Sequence, residues 1–374
     1  MILHIANSFN RTEVYKNLFN KLGESGYKQI IYCNTKEGKK NLFDVSKVEA
    51  DKIVLKYNVK KIHKFLFRNK SNMIFNDILN DEYLNDISIM HCHTLYTDGY
   101  VGYKIFKKFN IPYLVTIRST DIDYFDKYRI DLKLIKNNVL SSASKILFTT
   151  PAQKNKFKNN ISKKRWKSIK DKCIVVPNGI DEIYFKNKPP LSSKSNDGVC
   201  RVLYVGKFLK RKNVDILIQS IKAISKNNKI KLTIVGGGGN CHARVNELII
   251  ANKNIVDYMG KIEDKMRLID IYRANDIFCM ISKNETFGLV YFEALSQGLP
   301  IIYKSGDSID GLITCDSVKE VIIDTSSLKE LKTSILELYY NFNIDVSKKC
   351  IEASKLANWD EVIKKYKRIY DNNM

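Results

Sequence analysis

The chain has 374 residues, 44% of them hydrophobic and 28% charged, which is close to a soluble globular average and excludes a disordered tail, a collagen-like fibre and a disulfide miniprotein. It is about two and a half times the length of the usual ~150-residue domain, so two domains are expected. Lysine and arginine number 63 against 40 acids, a formal charge of +23, and such a surface attracts anions: phosphorylated substrates, anionic lipid headgroups or nucleic acid.

Short apolar runs alternate with helix-length segments from end to end. LHIA, QIIYC, IVLKY, ISIMHCH, YLVTI, KILFTT and CIVVP come first, then VLYVG, KLTIVG, IVDYMG, DIFCMI, LPIIY and EVIID. Strands separated by crossover segments predict parallel sheets buried on both faces, hence an α/β protein with six or seven strands in each half. Lys186 to Asn196 (KNKPPLSSKSN) holds two prolines, three serines and no aromatic residue, and reads as a linker. The expected organisation is a first domain over 1–185, a linker over 186–200, a second domain over 201–357 and a last helix over 358–374. Ligands of such sheets bind beyond the carboxyl ends of the strands, so the residues after each apolar run are where chemistry is sought.

In the first half, the loop ANSFNRTE after LHIA supplies Asn10 and Arg11. Lys52 to Lys70 contains seven Lys/Arg and no acid, interleaved with Leu55, Tyr57, Phe65, Leu66 and Phe67; Lys154 to Lys172 contains nine Lys/Arg with Asp171 and Trp166. His91 and His93 end one strand and Arg118 another, which places all three on the ligand side. Arg118 cannot serve as a base, so its role is electrostatic or positional; His93 reads equally as a structural histidine or an acceptor contact. Asp121-Ile-Asp123 has the DxD pattern that can hold a divalent metal on a diphosphate, but it reads better as a loop, and no metal is expected.

In the second half, Lys207 and Lys212 follow VLYVG, where two cations can meet phosphate charge. Gly236 to Gly239 follow KLTIV and allow a ligand to approach the backbone, without the third glycine of a dinucleotide fingerprint. Ile277 to Ile302 reads as a strand, a polar loop and a helix from about Phe287 to Ser296, stopped by Gly298 and Pro300. Glu285 lies at the mouth of that helix and Glu293 eight residues on. A rise of ~12 Å separates them too far for one acid/base dyad. Between them the amides of Thr286, Phe287, Gly288 and Leu289 make an anion site. A ligand with hydroxyls at both ends and a diphosphate between them, a nucleotide sugar, matches this layout.

The string ETFGLVYFEALSQGLPII resembles the signature of the family 4 retaining glycosyltransferases. VVPNGID at Val175, LYVGKFLKRKN at Leu203, LTIVGGGG at Leu232, VDYMGKI at Val256, YRANDIF at Tyr272 and the closing ANWDEVIKKYKRIYDN at Ala357 resemble further motifs of that family, in its order. The resemblance implies the GT-B fold, two facing Rossmann-like domains whose C-terminal helix crosses back to the first. It implies that Glu285, Lys212 and Lys207 act at the reacting centre and that Phe287 to Leu289 hold donor phosphate and sugar. Glu293 binds the ribose, Gly236 and Gly237 approach the donor, and the backbone of Met259, Gly260 and Lys261 faces the base. His93, Arg118, Asn10 and Arg11 become acceptor-side candidates. The chain departs from the family at Lys207, where arginine is usual, at Asn213, where glycine is common, at Arg118, often a histidine, and in the first loop, which lacks paired glycines.

The resulting expectation is a metal-independent retaining hexosyltransferase without cofactor, using a nucleotide-sugar donor (UDP favoured, GDP possible) and a saccharide or lipid-linked acceptor in surface-polysaccharide synthesis. Two basic stretches with apolar residues in the acceptor half imply peripheral docking on the anionic inner face of the cell membrane. No nucleic-acid module is visible, and none is expected as partner. The eight cysteines form no CxxC pair or zinc-spaced cluster, which fits a reducing cytoplasm. The start MILHIANSFNRTEVYKN has no leader pattern and no apolar run reaches ~18 residues, so neither secretion nor a membrane span is expected. The competing readings are an NAD-dependent oxidoreductase built on the glycine run and a non-catalytic basic protein binding membrane or nucleic acid.

Overall fold

The computed structural model describes residues 1–374 except 8, 37, 39, 40, 42, 191–196, 314–317 and 322–327. The described residues form two compact units, Met1–Gly179 with Trp359–Met374, and Ile180–Asn358. The division at Gly179 precedes the expected linker at 186–200, because Ile180 and Tyr184 are already buried in the second core. Residues 191–196 of that linker lie outside the described residues, and a strand already begins at Cys200.

The first unit holds seven parallel strands: β1 (Ile2–Ile5), β2 (Gln29–Lys36), β3 (Lys52–Val59), β4 (Ile89–Cys92), β5 (Tyr113–Thr116), β6 (Lys145–Phe148) and β7 (Cys173–Val175). Their order is β3-β2-β1-β4-β5-β6-β7. Every residue of β1, β4 and β5 is buried, as strands covered by helices on both faces require. The second unit holds six: β8 (Cys200–Gly206), β9 (Ile230–Gly236), β10 (Val256–Gly260), β11 (Ile277–Met280), β12 (Ile301–Lys304) and β13 (Val318–Val321), in the order β10-β9-β8-β11-β12-β13. Both are Rossmann-like, and in each the order reverses at the first strand. β1 pairs with β2 and β4, through Ile2↔Gln29 and Ile2↔Ile89, and β8 pairs with β9 and β11. The loops after β1 and β4, and after β8 and β11, therefore flank the ligand crevice of their own sheet.

The last helix, Trp359–Asp371, returns to the first unit as expected. Trp359, Val362, Ile363, Tyr366, Ile369 and Tyr370 line one face and pack with Ile2, Phe19 and Ile31. A Cβ on Gly179 would lie 2.3 Å from the Trp359 ring, so glycine is required where the helix starts. Among the described residues no helix is long and apolar enough to cross a membrane, and the seven described cysteines are free; Cys315 lies outside them.

Candidate active site

After β8 the chain makes a tight turn, Lys210–Lys212, and enters the helix Val214–Ile224 through Asn213. Asn213 has φ 53°, a left-handed conformation that glycine and asparagine tolerate best, which explains why asparagine replaces the family's glycine. Its Nδ2 donates to the Ile281 carbonyl at 2.8 Å, and the Lys283 amide donates to the Arg211 carbonyl at 2.6 Å. These bonds tie the loop after β8 to the loop after β11.

Glu285 sits at that junction. Its Oε2 takes the Lys212 ammonium in a close ion pair and the Arg211 guanidinium at 3.2 Å. The Lys212 and Glu285 side chains are only 11% and 12% exposed, so the pair is shielded from solvent. Burial alone would raise the Glu285 pKa, but Lys212 and Arg211 hold it below the ordinary carboxylate value. Burial lowers the Lys212 pKa, and Glu285 offsets part of that. Lys207, expected as the second cation, is exposed and has no ion-pair partner among the described residues; its carbonyl accepts the Tyr204 hydroxyl at 3.0 Å. Arg211, which the sequence reading did not single out, is the second cation on Glu285. The run KFLKRKN held that signal, but only the turn at Lys210–Lys212 decides which cation faces Glu285.

The helix after Glu285 starts at Leu289 and ends at Ser296, two residues shorter at its start than expected, because Gly288 caps it at φ 74°. A Cβ on Gly288 would lie 2.5 Å from the Tyr291 ring. Phe287 is buried, stacked on Phe292 at 5.0 Å, and its carbonyl accepts from Ser308 Oγ at 2.9 Å. The Asn284 amide is held by Asp307. Asp307 and Ser308 thus set the loop's shape, a role the sequence reading missed. Thr286 N–H turns to its neighbour Glu285 at 3.2 Å. The amides of Phe287, Gly288 and Leu289 have no acceptor among the described residues, so this helix opening can take an anion.

Glu293 lies two turns along. Its Oε2 accepts the Tyr272 hydroxyl at 2.9 Å, and burial pushes its carboxyl up to about 7 against the hydrogen bonds from Tyr272 and Tyr184. The glycine run divides in two. A Cβ on Gly236 would lie 1.9 Å from the Gly206 carbonyl oxygen, and one on Gly239 2.5 Å from that of Phe208, so these glycines let two loops touch. A Cβ on Gly237 would lie 3.0 Å from the Tyr258 hydroxyl, while one on Gly238 would meet nothing within 4 Å. At the end of the edge strand β10, Met259 is exposed, Gly260 has φ 67° with nothing near its Cα, and Lys261 pairs with Glu263.

The acceptor-side candidates divide differently from their reading. His93 and Asn10 are buried. His93 Nε2 meets His4 Nδ1 at 3.1 Å and its ring stacks on His91 at 4.0 Å; His91 bonds the Tyr370 hydroxyl at 2.7 Å and Thr116 at 2.8 Å. Tyr366 and Tyr370 of the helix Trp359–Asp371 pack against His91, and Tyr370 also against His4. Burial lowers the pKa of all three, His4 to about 3, so they pack as neutral imidazoles. No short spacing in sequence marks this cluster, yet the sheet brings its ring nitrogens within 4.8 Å of one another. Asn10 donates to Asn41 at 2.9 Å, whereas Arg11 is exposed and donates to Thr35 at 2.8 Å. Arg118 donates to the His93 carbonyl at 3.2 Å and lies over Tyr15 at 5.3 Å.

Asp121 is buried and accepts from the amides of Arg118 at 2.8 Å and Leu95 at 3.1 Å, while Asp123 pairs with Lys156 at 2.6 Å. The two carboxylates of the DxD thus serve different partners. The sequence reading missed Asn7, which bonds Asp98 at 2.6 Å and the Asn34 amide at 2.8 Å across the β1 crevice. Asp98 is fully buried, its second oxygen has no partner among the described residues, and burial pushes it up to about 6 against the attraction of Lys70.

Comparison with known proteins adds the family context. The family described as Glycosyl transferases group 1 matches residues 187–356. An uncharacterised glycosyltransferase of Methanocaldococcus jannaschii is 24% identical over 288 residues, 76% of this chain and 75% of its own length. Among solved structures, sucrose-phosphate synthase from Thermosynechococcus elongatus superposes with a TM-score of 0.71 at 18% identity, covering 99% of this chain and 98% of its own. HepE from Anabaena, crystallised in complex with UDP, reaches 0.73 at 13%, covering 99% of each. The structural likeness shows the GT-B fold, and the sequence matches indicate a glycosyltransferase.

Proposed function

We propose that the chain is a retaining glycosyltransferase that moves a hexose-type sugar from a nucleotide-diphosphate sugar, UDP-linked by preference, to a saccharide acceptor. The observation that carries this reading is the uncapped opening at Phe287–Leu289, with Lys212 and Arg211 on one side of it and Glu293 further along the helix. The amides and the two cations receive the diphosphate, and they stabilise it most as negative charge develops on departure. Glu293 accepts the ribose hydroxyls. Glu285, freed from Lys212 as the lysine turns to phosphate, accepts hydroxyls of the sugar.

The acceptor hydroxyl attacks from the face the diphosphate leaves, and a leaving-group oxygen takes its proton; no protein nucleophile takes part. Lys212 and Arg211 supply the positive charge that a divalent ion supplies elsewhere, so the reaction is metal-independent. Asp98 and Lys70, with Arg11 and Arg118, are the acceptor candidates the first unit offers. The acceptor is lipid-linked, and the enzyme works in surface-polysaccharide synthesis on the cytoplasmic face of the membrane.

A thermal-shift panel tests this reading. UDP or GDP is expected to raise the unfolding temperature by several degrees when near-saturating, since binding only the folded state stabilises it by about 2.7 kcal/mol at a hundredfold excess over Kd. A response to NADH alone, or to no nucleotide, contradicts it.

A further inference from the structure

Two surface stretches far apart in the chain meet in the first unit. The turn Lys61–Lys64 and the start of the helix Phe67–Leu79 leave Ile62, Phe65 and Leu66 exposed. The segment after β5 leaves Tyr124, Tyr128, Ile130 and Leu134 exposed. Phe67 and Phe125 join them, with ring centroids 6.5 Å apart, and Tyr124 follows Phe125 at 5.5 Å. The Arg68 charge acts on Asp131, which places the second stretch beside the first. Ile130, Phe65 and Leu134 are 77%, 76% and 73% exposed, the highest values for large apolar side chains among the described residues. Clustered exposure of this kind marks an interaction surface, whereas scattered apolar residues do not.

The unpaired charge around the patch is mainly positive. Lys60 to Arg68 contains no acid. In the second stretch Asp123 pairs with Lys156 at 2.6 Å, Asp126 with Lys136 at 2.8 Å and Asp131 with Arg129 at 2.7 Å, which leaves Lys127 and Lys133 in excess. At the helix that carries Leu134, a hollow of about 510 Å³ is lined by Lys133, Lys136 and Asn137 with Lys164, Arg165 and Ser168. Aliphatic tips inside a cationic rim are complementary to an anionic bilayer, whose interior takes the tips and whose phosphates take the rim. Nucleic acid offers nothing to Ile130 or Leu134, and a second copy of a chain carrying +23 is repelled.

We propose that this patch docks the first unit on an anionic lipid bilayer, with Phe65, Ile130 and Leu134 entering the headgroup layer and the hollow beside Lys133 holding a lipid phosphate. The proposal deepens the membrane-face reading above and relocates it. Of the two basic stretches in the sequence, only the first supplies apolar tips. The second contributes Lys164 and Arg165, while Trp166 packs against the core.

Vesicle co-sedimentation of the full chain tests it, with pure phosphatidylcholine against vesicles carrying about 30 mol% phosphatidylglycerol. Binding to the anionic vesicles is expected to exceed binding to the neutral ones by at least about tenfold. Phe65→Ser with Ile130→Ser and Leu134→Ser, and separately Lys133→Glu with Lys164→Glu, are each expected to remove about nine-tenths of it, with the unfolding midpoint and the UDP shift unchanged. Equal binding by the parent and the triple-serine variant overturns the proposal, as does equal binding to both vesicle types. Vesicle-free self-association that the triple variant abolishes also overturns it, since the patch then serves a second copy. A UDP response without vesicle binding rejects the docking surface and leaves the transferase reading standing; vesicle binding without a UDP response does the reverse.

Discussion

Glu285 pairs with Lys212 and Arg211, so on the proposed function the cations that would meet a diphosphate are held against a carboxylate beforehand. Lys212→Met leaves Glu285 half-shielded with Arg211 alone, and breaking a buried pair in this way is expected to destabilise the fold by about 3 kcal/mol in denaturant titrations. Adding Glu285→Gln removes the uncompensated charge and is expected to restore most of that stability, while turnover stays about 10²–10³-fold down. Recovery of turnover along with stability would make the pair structural. Glu293 gives a second prediction. Its carboxyl sits at about 7 because burial raises it, and only the carboxylate accepts two ribose hydroxyls. Binding then releases a proton, so nucleotide affinity measured by calorimetry rises from about pH 6 to about pH 8 and becomes flat in Glu293→Gln. Arg211 shows the limit of reading residues from sequence: four cations in seven residues are chemically alike, and a turn of the backbone selects among them.

The strands were legible because each is a short apolar run, and parallel pairing followed from the helix-length segments between runs. The helix opening was legible only approximately. Gly288 ends the preceding loop in a left-handed conformation, so the helix begins at Leu289 instead of about Phe287. Gly288→Ala places a methyl group 2.5 Å from the Tyr291 ring and strains φ. It is expected to destabilise the protein by about 1–3 kcal/mol and to weaken UDP binding at least tenfold, read by thermal unfolding and calorimetry. A variant with parent-like UDP affinity would remove this helix opening from the site. Of the two readings of His93, its burial and its contact with His4 fit the structural one, and no local pattern carries that. It follows the end of β4, and Tyr15 and Phe19 from the first helix pack edge-on against its ring at 5.0 and 5.6 Å.

Across the whole molecule, the two sheets reverse their order at β1 and β8, and the chemistry-bearing residues gather at those two places. The proposed donor-side residues of the second unit come from a few contiguous motifs, which is why the sequence could name candidates there. In the first unit Asn7, Lys70 and Asp98 come together from three separate segments, and the apolar patch from two; composition and spacing mark neither. The most direct test of the diphosphate site is a crystal structure of the chain soaked with UDP. The expected result is a diphosphate within hydrogen-bond distance of the Phe287, Gly288 and Leu289 amides, the ribose on Glu293 and the Lys212 ammonium moved from Glu285 to phosphate. UDP bound elsewhere, with those amides still unoccupied and Lys212 still on Glu285, would contradict it.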